Sequence, residues 1–215
     1  MAALFSADST LMRALSRLAD VMILNLIFIA TSLPLFTLGA SLTALNFTAM
    51  RIASGECNSV GSDYFRSFRR NFRQATLVGL VLLGLTAVLA AWYVVVTNLT
   101  FGPLAELLLL AAWYVLAFNV AVMALFVFPY LASFEGRTRE VFRNARLLSW
   151  KHPFTALAAL ALIALSIIVT VFYPQATGYG LFWCFIGFAG IAVVNGHLFT
   201  RVFSKYIAAS TVEQT

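Results

Sequence analysis

Charged residues are scarce in this sequence. They make up 10% of the 215 residues, against 62% for hydrophobic residues, whereas soluble domains carry about 25% charged and about 45–50% apolar residues. Four stretches, 21–50, 74–105, 107–134 and 152–200, contain no Asp, Glu, Lys or Arg. Because about 20 apolar residues cross the hydrocarbon of a bilayer, each stretch is long enough for a membrane span. Residues 1–215 are therefore predicted to form a single integral membrane domain.

Cysteine, histidine and acidic residues are also rare, with two, two and eight of each in the chain. Cys57 in a polar loop and Cys184 in an apolar run make neither a disulfide framework nor a metal-binding pattern. The chain shows no paired carboxylates, glycine-rich phosphate loop or Ser/His/Asp spacing. Glu106 follows Pro103, where the helix dipole favours a carboxylate, and His197 lies near a predicted span end. We predict a non-enzymatic protein without a metal or cofactor.

The apolar runs predict an all-α bundle of five spans with interfacial amphipathic helices. The spans are expected at about residues 21–45, 75–97, 104–128, 153–173 and 181–200. Pro34 should kink the first span and Pro129 should end the third, since proline lacks a backbone donor. The spacing of Gly39 and Thr43 predicts a close approach to a neighbouring helix. As an alternative, 21–50 forms a hairpin that turns at Pro34, although arms of about 14 residues are short for a crossing.

Positive charge lies between the predicted spans. Of 14 Lys and Arg residues, two precede the first span, five lie in 51–74, five in 135–152 and two in the C-terminal tail. Cytoplasmic loops carry the excess of basic residues, so both basic segments and the C-terminus are predicted to be cytoplasmic. Five spans leave the N-terminus outside and 12 of the 14 basic residues inside. The hairpin alternative also brings the N-terminus inside.

The stretch from Phe65 to Gln74 is predicted to be an amphipathic surface helix. One of its faces is aromatic and the neighbouring face is cationic, and a second stripe of arginines follows in the other basic segment. These candidate contact residues are Phe65, Phe68, Arg69, Arg70, Phe72, Arg73, Arg139, Arg143 and Arg146. One interpretation is an anchor among anionic lipid headgroups, and the other is a docking surface for an acidic partner. The net charge of +6 is spread over short segments, so nucleic acid is not the predicted partner.

Two weak patterns recur along the chain. Arg70-Asn71-Phe72-Arg73 returns as Arg143-Asn144-Ala145-Arg146, and Asn25 before Pro34 is echoed by Asn119 before Pro129. An internal duplication is one hypothesis, and such repeats are common in transporters. Asn25, Asn119 and Asn195 each fall in a predicted span. They are expected either to form hydrogen bonds between helices or to line a polar pocket for a hydroxyl-rich ligand such as a sugar.

The N-terminal half resembles the YesL-like bacterial membrane proteins, a family of unassigned function. The residues that carry the resemblance are Leu4-Phe5-Ser6, Leu18-Ala19-Asp20, Leu24-Asn25-Leu26, the stretch from Leu33 to Leu45 and the stretch from Phe65 to Ala75. The resemblance implies a multi-pass protein of the bacterial inner membrane, encoded beside genes for carbohydrate uptake. It implies an accessory or regulatory role and partners such as ABC-transporter subunits or another membrane protein. The alternative function is a small-solute or sugar transporter in its own right.

Overall fold

The computed structural model describes residues 10–99 and 102–212, and within these ranges it contains helices and no strands. Its helices are α1 (Thr10–Ser32), α2 (Leu38–Ser54), α3 (Val60–Asn98), α4 (Pro103–Ser133), α5 (Thr138–Lys151), α6 (Pro153–Phe172) and α7 (Phe188–Val212). Short 3₁₀ turns lie at Leu35–Thr37 and Gly178–Gly180, and a π-helical segment at Trp183–Gly187 leads into α7. The predicted all-α bundle is confirmed.

Five helical segments are long and apolar enough to cross a membrane. They lie in α1, α3, α4, α6 and the continuous run Trp183–Tyr206. The remaining long element, α2, has 17 residues and is about 25 Å long at 1.5 Å per residue. The chain is thus a multi-pass membrane protein, and α6 closely matches the span predicted at 153–173.

The single span predicted at 21–45 is wrong, because the chain turns at Pro34. Helix α1 ends at Ser32, and the hydroxyl of Thr37 donates to the carbonyl of Thr31 at 2.6 Å. Proline cannot donate its own N–H to the helix, so the hydroxyl satisfies a carbonyl that the break leaves free. Helix α2 then returns along α1, and Leu24 of α1 shares one buried hydrophobic cluster with Ala44 and Ala49 of α2. The hairpin alternative describes this region, except that α1 begins before residue 21 and α2 ends after residue 50.

The basic stretch is not a separate surface helix, which corrects a second prediction. Residues 65–74 belong to α3, a continuous helix of 39 residues, or about 58 Å. No glycine or proline interrupts the sequence between Arg73 and Leu77, so the helix runs directly from the basic part into the apolar part. Helix α4 likewise continues through Pro129 to Ser133 instead of ending there.

Helix α2 packs closely between α3 and α7. A Cβ on Gly39 would overlap the carbonyl oxygen of Ala75, and one on Gly79 would lie 2.9 Å from the Cα of Gly39. On the other side, a Cβ on Gly196 would lie 3.3 Å from the carbonyl of Ala49. The predicted close approach around Gly39 is confirmed, since the helix backbones touch where side chains are absent.

Candidate functional site

An arginine cluster, formed by one arginine of α2 and two near the start of α3, surrounds the ring of Phe47 in α2. The guanidinium carbons of Arg51, Arg66 and Arg70 lie 5.8–5.9 Å from the centre of this ring. Arg51 pairs with the buried carboxylate of Asp63 at 2.9 Å, and Arg66 pairs with its other oxygen. The carboxylate pairs with two of the three guanidinium groups, and the aromatic ring contributes cation–π attraction to all three. The cluster is rigidly held and keeps an excess of positive charge.

The remaining α3 residues of the predicted contact surface divide between solvent and core. Arg69 and Arg73 are exposed, and Phe65 is 42% exposed. Phe68 and Phe72, which were predicted to face lipid, instead are half-buried and pack against the hydrophobic core. The aromatic face therefore fixes α3 to the bundle and leaves the arginines outward.

The predicted arginine stripe on α5 borders an open groove of about 760 Å³. Arg139, Arg143 and Arg146 are exposed and line it together with Arg137, while Met123 lies on the apolar side. Within the described residues, none of these four arginines forms an ion pair. The α5 surface is therefore strongly cationic and open to a partner or to lipid.

A second groove, of about 570 Å³, opens between the ends of α2, α4 and α7. Charged and hydroxyl side chains form its polar lining, namely Arg51, Arg70, Glu56, Ser54, Ser133, Thr200 and Ser204. Arg70 also reaches the backbone of α4, where its Nη2 lies 3.4 Å from the carbonyl oxygen of Ala132. The arginines of α2 and α3 and the last turn of α4 thus share one end of the bundle, which we call the basic end.

Asn25 serves as a structural link between α1 and the π-helical segment. Its Nδ2 donates to the carbonyls of Trp183 and Cys184 at 2.9 and 2.8 Å, and its Oδ1 accepts the N–H of Ala189 at 3.0 Å. A π-helical turn disturbs the regular α-helical hydrogen-bond ladder, and this buried amide satisfies backbone groups on both sides of it. Of the two roles predicted for the asparagines, hydrogen bonding between helices is the one that Asn25 has.

The other predicted intramembrane polar residues do not join Asn25 in one pocket. Asn119 donates to the carbonyl of Val115, one turn earlier in its own helix, at 2.8 Å. His197 is exposed, and its Nδ1 lies 2.9 Å from the carbonyl oxygen of Val193. Among the described residues, no group of three or more His, Cys, Asp or Glu is placed to hold a metal. The structure assembles no polar constellation from these side chains.

The proposed repeat also places its matching residues in different environments. Pro34 separates two helices, whereas Pro129 lies inside α4. Asn71 donates to Ser67 within α3, but Asn144 donates to the hydroxyl of Tyr130 on another helix. The two motifs therefore do not serve equivalent structural roles.

Asn195 lines a central cavity of about 390 Å³. Of the 15 lining residues, only Asn46 and Asn195 are polar. Asn195 is 4% exposed, and its Oδ1 has no hydrogen-bond partner in the described structure. Leaving a buried acceptor unpaired costs about 1–3 kcal/mol. Sequence reasoning selected Asn195 but missed Asn46, whose signal was a single amide among the apolar residues of α2.

Comparison with known proteins adds a family match for part of the chain. Residues 21–94 match the family described as "Protein of unknown function, DUF624". The match includes about half of α1, all of α2 and α3 up to Val94, and so covers the Gly39 contact and the arginine cluster. No curated protein and no solved structure gave a significant match.

Proposed function

We propose that this chain is a non-enzymatic accessory protein of a carbohydrate-uptake system in the bacterial inner membrane. In this proposal its basic end docks onto an acidic cytoplasmic surface of a membrane partner such as an ABC-transporter subunit. The resemblance to YesL-like proteins supplies the link to carbohydrate uptake, and the partial DUF624 match is compatible with it. The concentration of exposed arginines on α3 and α5 is the observation that carries the docking role.

The length of α3 favours a protein partner over lipid headgroups. The apolar part of α3 begins near Ala75, and Arg66 lies nine residues earlier, or about 14 Å along the helix. A bilayer of about 40–45 Å with a hydrocarbon core of about 30 Å has a headgroup layer of about 6 Å on each side. Helix α3 is thus long enough to carry its first arginines beyond this layer, where complementary charge on a protein would set orientation and specificity.

The α1–α2 hairpin supports a cytoplasmic position for the basic end. Because α2 returns along α1, Arg13 and Arg17 lie towards the same end as the basic start of α3. Cytoplasmic segments are enriched in Lys and Arg. We therefore place the N-terminus inside, in the hairpin topology rather than in the topology that leaves it outside.

A charge-reversal pair on the two arginine surfaces tests the docking proposal. Arg69→Glu with Arg143→Glu should leave the protein inserted at normal abundance but reduce a stoichiometric membrane partner at least about tenfold, equivalent to 1.4 kcal/mol. The measurement is quantitative mass spectrometry after mild purification from native membranes. Arg13→Glu with Arg17→Glu is the control, because it changes the net charge equally on α1.

The result is interpreted together with the orientation of each variant. In a background of Cys57→Ser and Cys184→Ser, labelling of an added cysteine at the exposed Asn58 by an impermeant maleimide before and after cell lysis reports whether the basic end remains inside. Unchanged partner recovery in the α3/α5 variant would reject docking, as would an equal loss in the α1 control. Reduced binding to anionic vesicles with normal partner recovery would instead assign the arginines to lipid anchoring.

A small-solute or sugar transporter is the competing proposal, since the bundle contains a central cavity. Its lining of 13 apolar residues and two amides offers few groups to replace the hydrogen bonds that a sugar makes with water. Unsatisfied polar groups of a buried sugar would be costly. Sugar flux through proteoliposomes containing this chain alone would nevertheless replace the accessory role with transport.

A further inference from the structure

We propose that the central cavity binds an apolar molecule from the bilayer that carries a hydroxyl group, with Asn195 as the hydrogen-bond partner of that hydroxyl. This inference concerns a ligand site inside the bundle. It is independent of the docking role at the basic end, so either proposal can fail without the other.

The cavity has the size and lining of a site for a hydrocarbon chain. It measures about 390 Å³ and is bordered by side chains from α1, α2, α4, α6, the π-helical segment and α7. Its apolar lining includes Phe28, Leu45, Phe128 and Ile167. An apolar protein cavity of about 150 Å³ stays dry and binds benzene, so this larger space can take a longer apolar group.

Asn195 provides the one buried polar atom that lacks a partner at this cavity. Buried side-chain oxygens in folded proteins almost always accept a hydrogen bond, and Asn25 shows this within the same bundle by bonding through both amide atoms. The Oδ1 of Asn195 is buried and unpaired. Because this oxygen has almost no accessible surface, a molecule in the cavity would bond to the amide of Asn195 at its other atom or after a rotation of the side chain.

A hydroxyl group matches this amide better than a charge or a water molecule does. The oxygen and nitrogen of an asparagine amide can exchange positions by rotation, and a hydroxyl can donate or accept, so it suits either orientation. A neutral amide offers no compensation for a buried charge. A water molecule needs two to four polar partners, whereas the Nδ2 of the only other lining amide, Asn46, already donates to the carbonyl of Leu42 at 2.8 Å.

Helix α6 offers the route by which such a molecule would enter from the bilayer. Only Ala156 and Ala159 are buried along this helix of 20 residues. Farther along, Ile163 and Ile167 line the cavity, and Ile167 and Ile168 are 52% and 50% exposed. The cavity is therefore partly open to the surface beside this half of α6, and a molecule from the bilayer can enter there.

Quenching of Trp183 fluorescence tests the proposal, because this residue lines the cavity. The full chain carrying Trp92→Phe, Trp113→Phe and Trp150→Phe would be placed in phosphatidylcholine vesicles with Trp183 as its only tryptophan. The probes are a long-chain alcohol brominated near mid-chain and its methyl ether, which has the same chain but cannot donate a hydrogen bond. We expect saturable quenching by the alcohol at a concentration about tenfold lower than by the ether.

Two variants separate recognition by Asn195 from simple filling of an apolar space. Asn195→Leu should reduce the affinity for the alcohol to that for the ether, whereas Asn119→Leu should leave both unchanged. Ala124→Phe should fill the cavity and abolish saturable quenching by either probe. Equal affinities of the starting protein for alcohol and ether would overturn the hydroxyl assignment, and quenching no stronger than that by brominated phosphatidylcholine would overturn the ligand site.

Discussion

The contact between α2 and α3 and the contact of α6 with its neighbours represent opposite extremes of packing in this bundle. At the first, Gly39 and Gly79 bring two helix backbones together. At the second, only Ala156 and Ala159 are buried, and a cavity opens beside Ile163 and Ile167. The tightly packed region is also the more polar of the two, since α2 buries Ser41, Thr43 and Thr48 whereas α6 buries only alanines.

The size and shape of the side chains account for the difference. Inside a bilayer, helices gain little from hiding apolar surface and associate mainly through close packing and hydrogen bonds. Glycine allows backbone contact in the first region, and in the first half of α6 the small residues Ala156 and Ala159 are buried. The second half of α6 changes to Ile167, Ile168 and Val169, whose branched side chains are stiff. Ile167 and Ile168 are about half exposed, and Ile167 borders the cavity that Asn195 also lines.

The largest loss of stability is expected from adding one methyl group at the close contact between α2 and α3. Gly39→Ala places a Cβ against the backbone carbonyl of Ala75, and a backbone atom cannot move aside as a flexible side chain can. We expect a loss of about 3 kcal/mol or more in the free energy of unfolding. Denaturant titration in detergent micelles, followed by circular dichroism, measures it.

Gly84→Ala is the matched control for this contact. It lies in α3, and its added Cβ would meet no atom within 4 Å, so alanine should stabilise the helix by about 0.5–1 kcal/mol. If both variants unfolded at the same denaturant concentration, the backbone contact would not be the source of stability on this side of the bundle.

A smaller effect is expected at the junction between the tightly packed hairpin and the cavity. Asn25→Leu removes three hydrogen bonds and leaves two carbonyls of the π-helical segment and the N–H of Ala189 in α7 without their side-chain partner. Unpaired buried groups should lower the free energy of unfolding by about 2 kcal/mol. The same titration measures this change, with amide exchange at Ala189 as a local readout.

Asn119→Leu is the control for the junction, since its amide bonds only to its own helix. A change of about 0.5 kcal/mol or less is expected there. Equal losses for the two variants would show that asparagine stabilises these helices generally and that the link across Asn25 has no special role.

Sequence patterns predicted the helical class, the close approach at Gly39 and the helix that starts at Pro153, because each depends on local composition. They favoured a kink at Pro34 over the hairpin alternative that the structure shows, since proline can either kink or end a helix and tertiary packing decides between these outcomes. The separate surface helix at 65–74 failed for a related reason. The charged residues indicate where the chain passes from a polar to an apolar environment. No glycine or proline there interrupts the helix.

The candidate site was predictable only in part. Asn25, Asn119 and Asn195 look alike in sequence, yet the structure gives them three different roles: a fully bonded link, a bond within one helix and an unpaired amide at a cavity. Which role each amide takes depends on residues far away in the chain, such as Trp183 for Asn25. Hydrophobic periodicity carries no information about that pairing.

The smallest predicted effect concerns the labelling rate of Cys57, which lies in the turn between the tightly packed helices α2 and α3. Burial raises the pKa of the Cys57 thiol from 9.0 to about 11, with further raising by the hydrogen bond to Asp63 and by its charge. Below this pKa the thiol is mostly protonated, so its labelling by N-ethylmaleimide should be slow and should rise about tenfold per pH unit.

Asp63→Asn removes the charge that favours the protonated thiol, so the pKa of Cys57 should fall and labelling at pH 8 should become faster. The rate is measured between pH 7 and 10 in a Cys184→Ser background, in which Cys57 is the only thiol. Asp20→Asn is the control, because Asp20 raises the same pKa less than Asp63 does and should give a smaller acceleration. If the labelling rate of the Asp63 variant levels off near pH 9, the turn has opened to solvent. If the labelling rate continues to rise with pH, the packing of α2 against α3 keeps the thiol buried without the carboxylate.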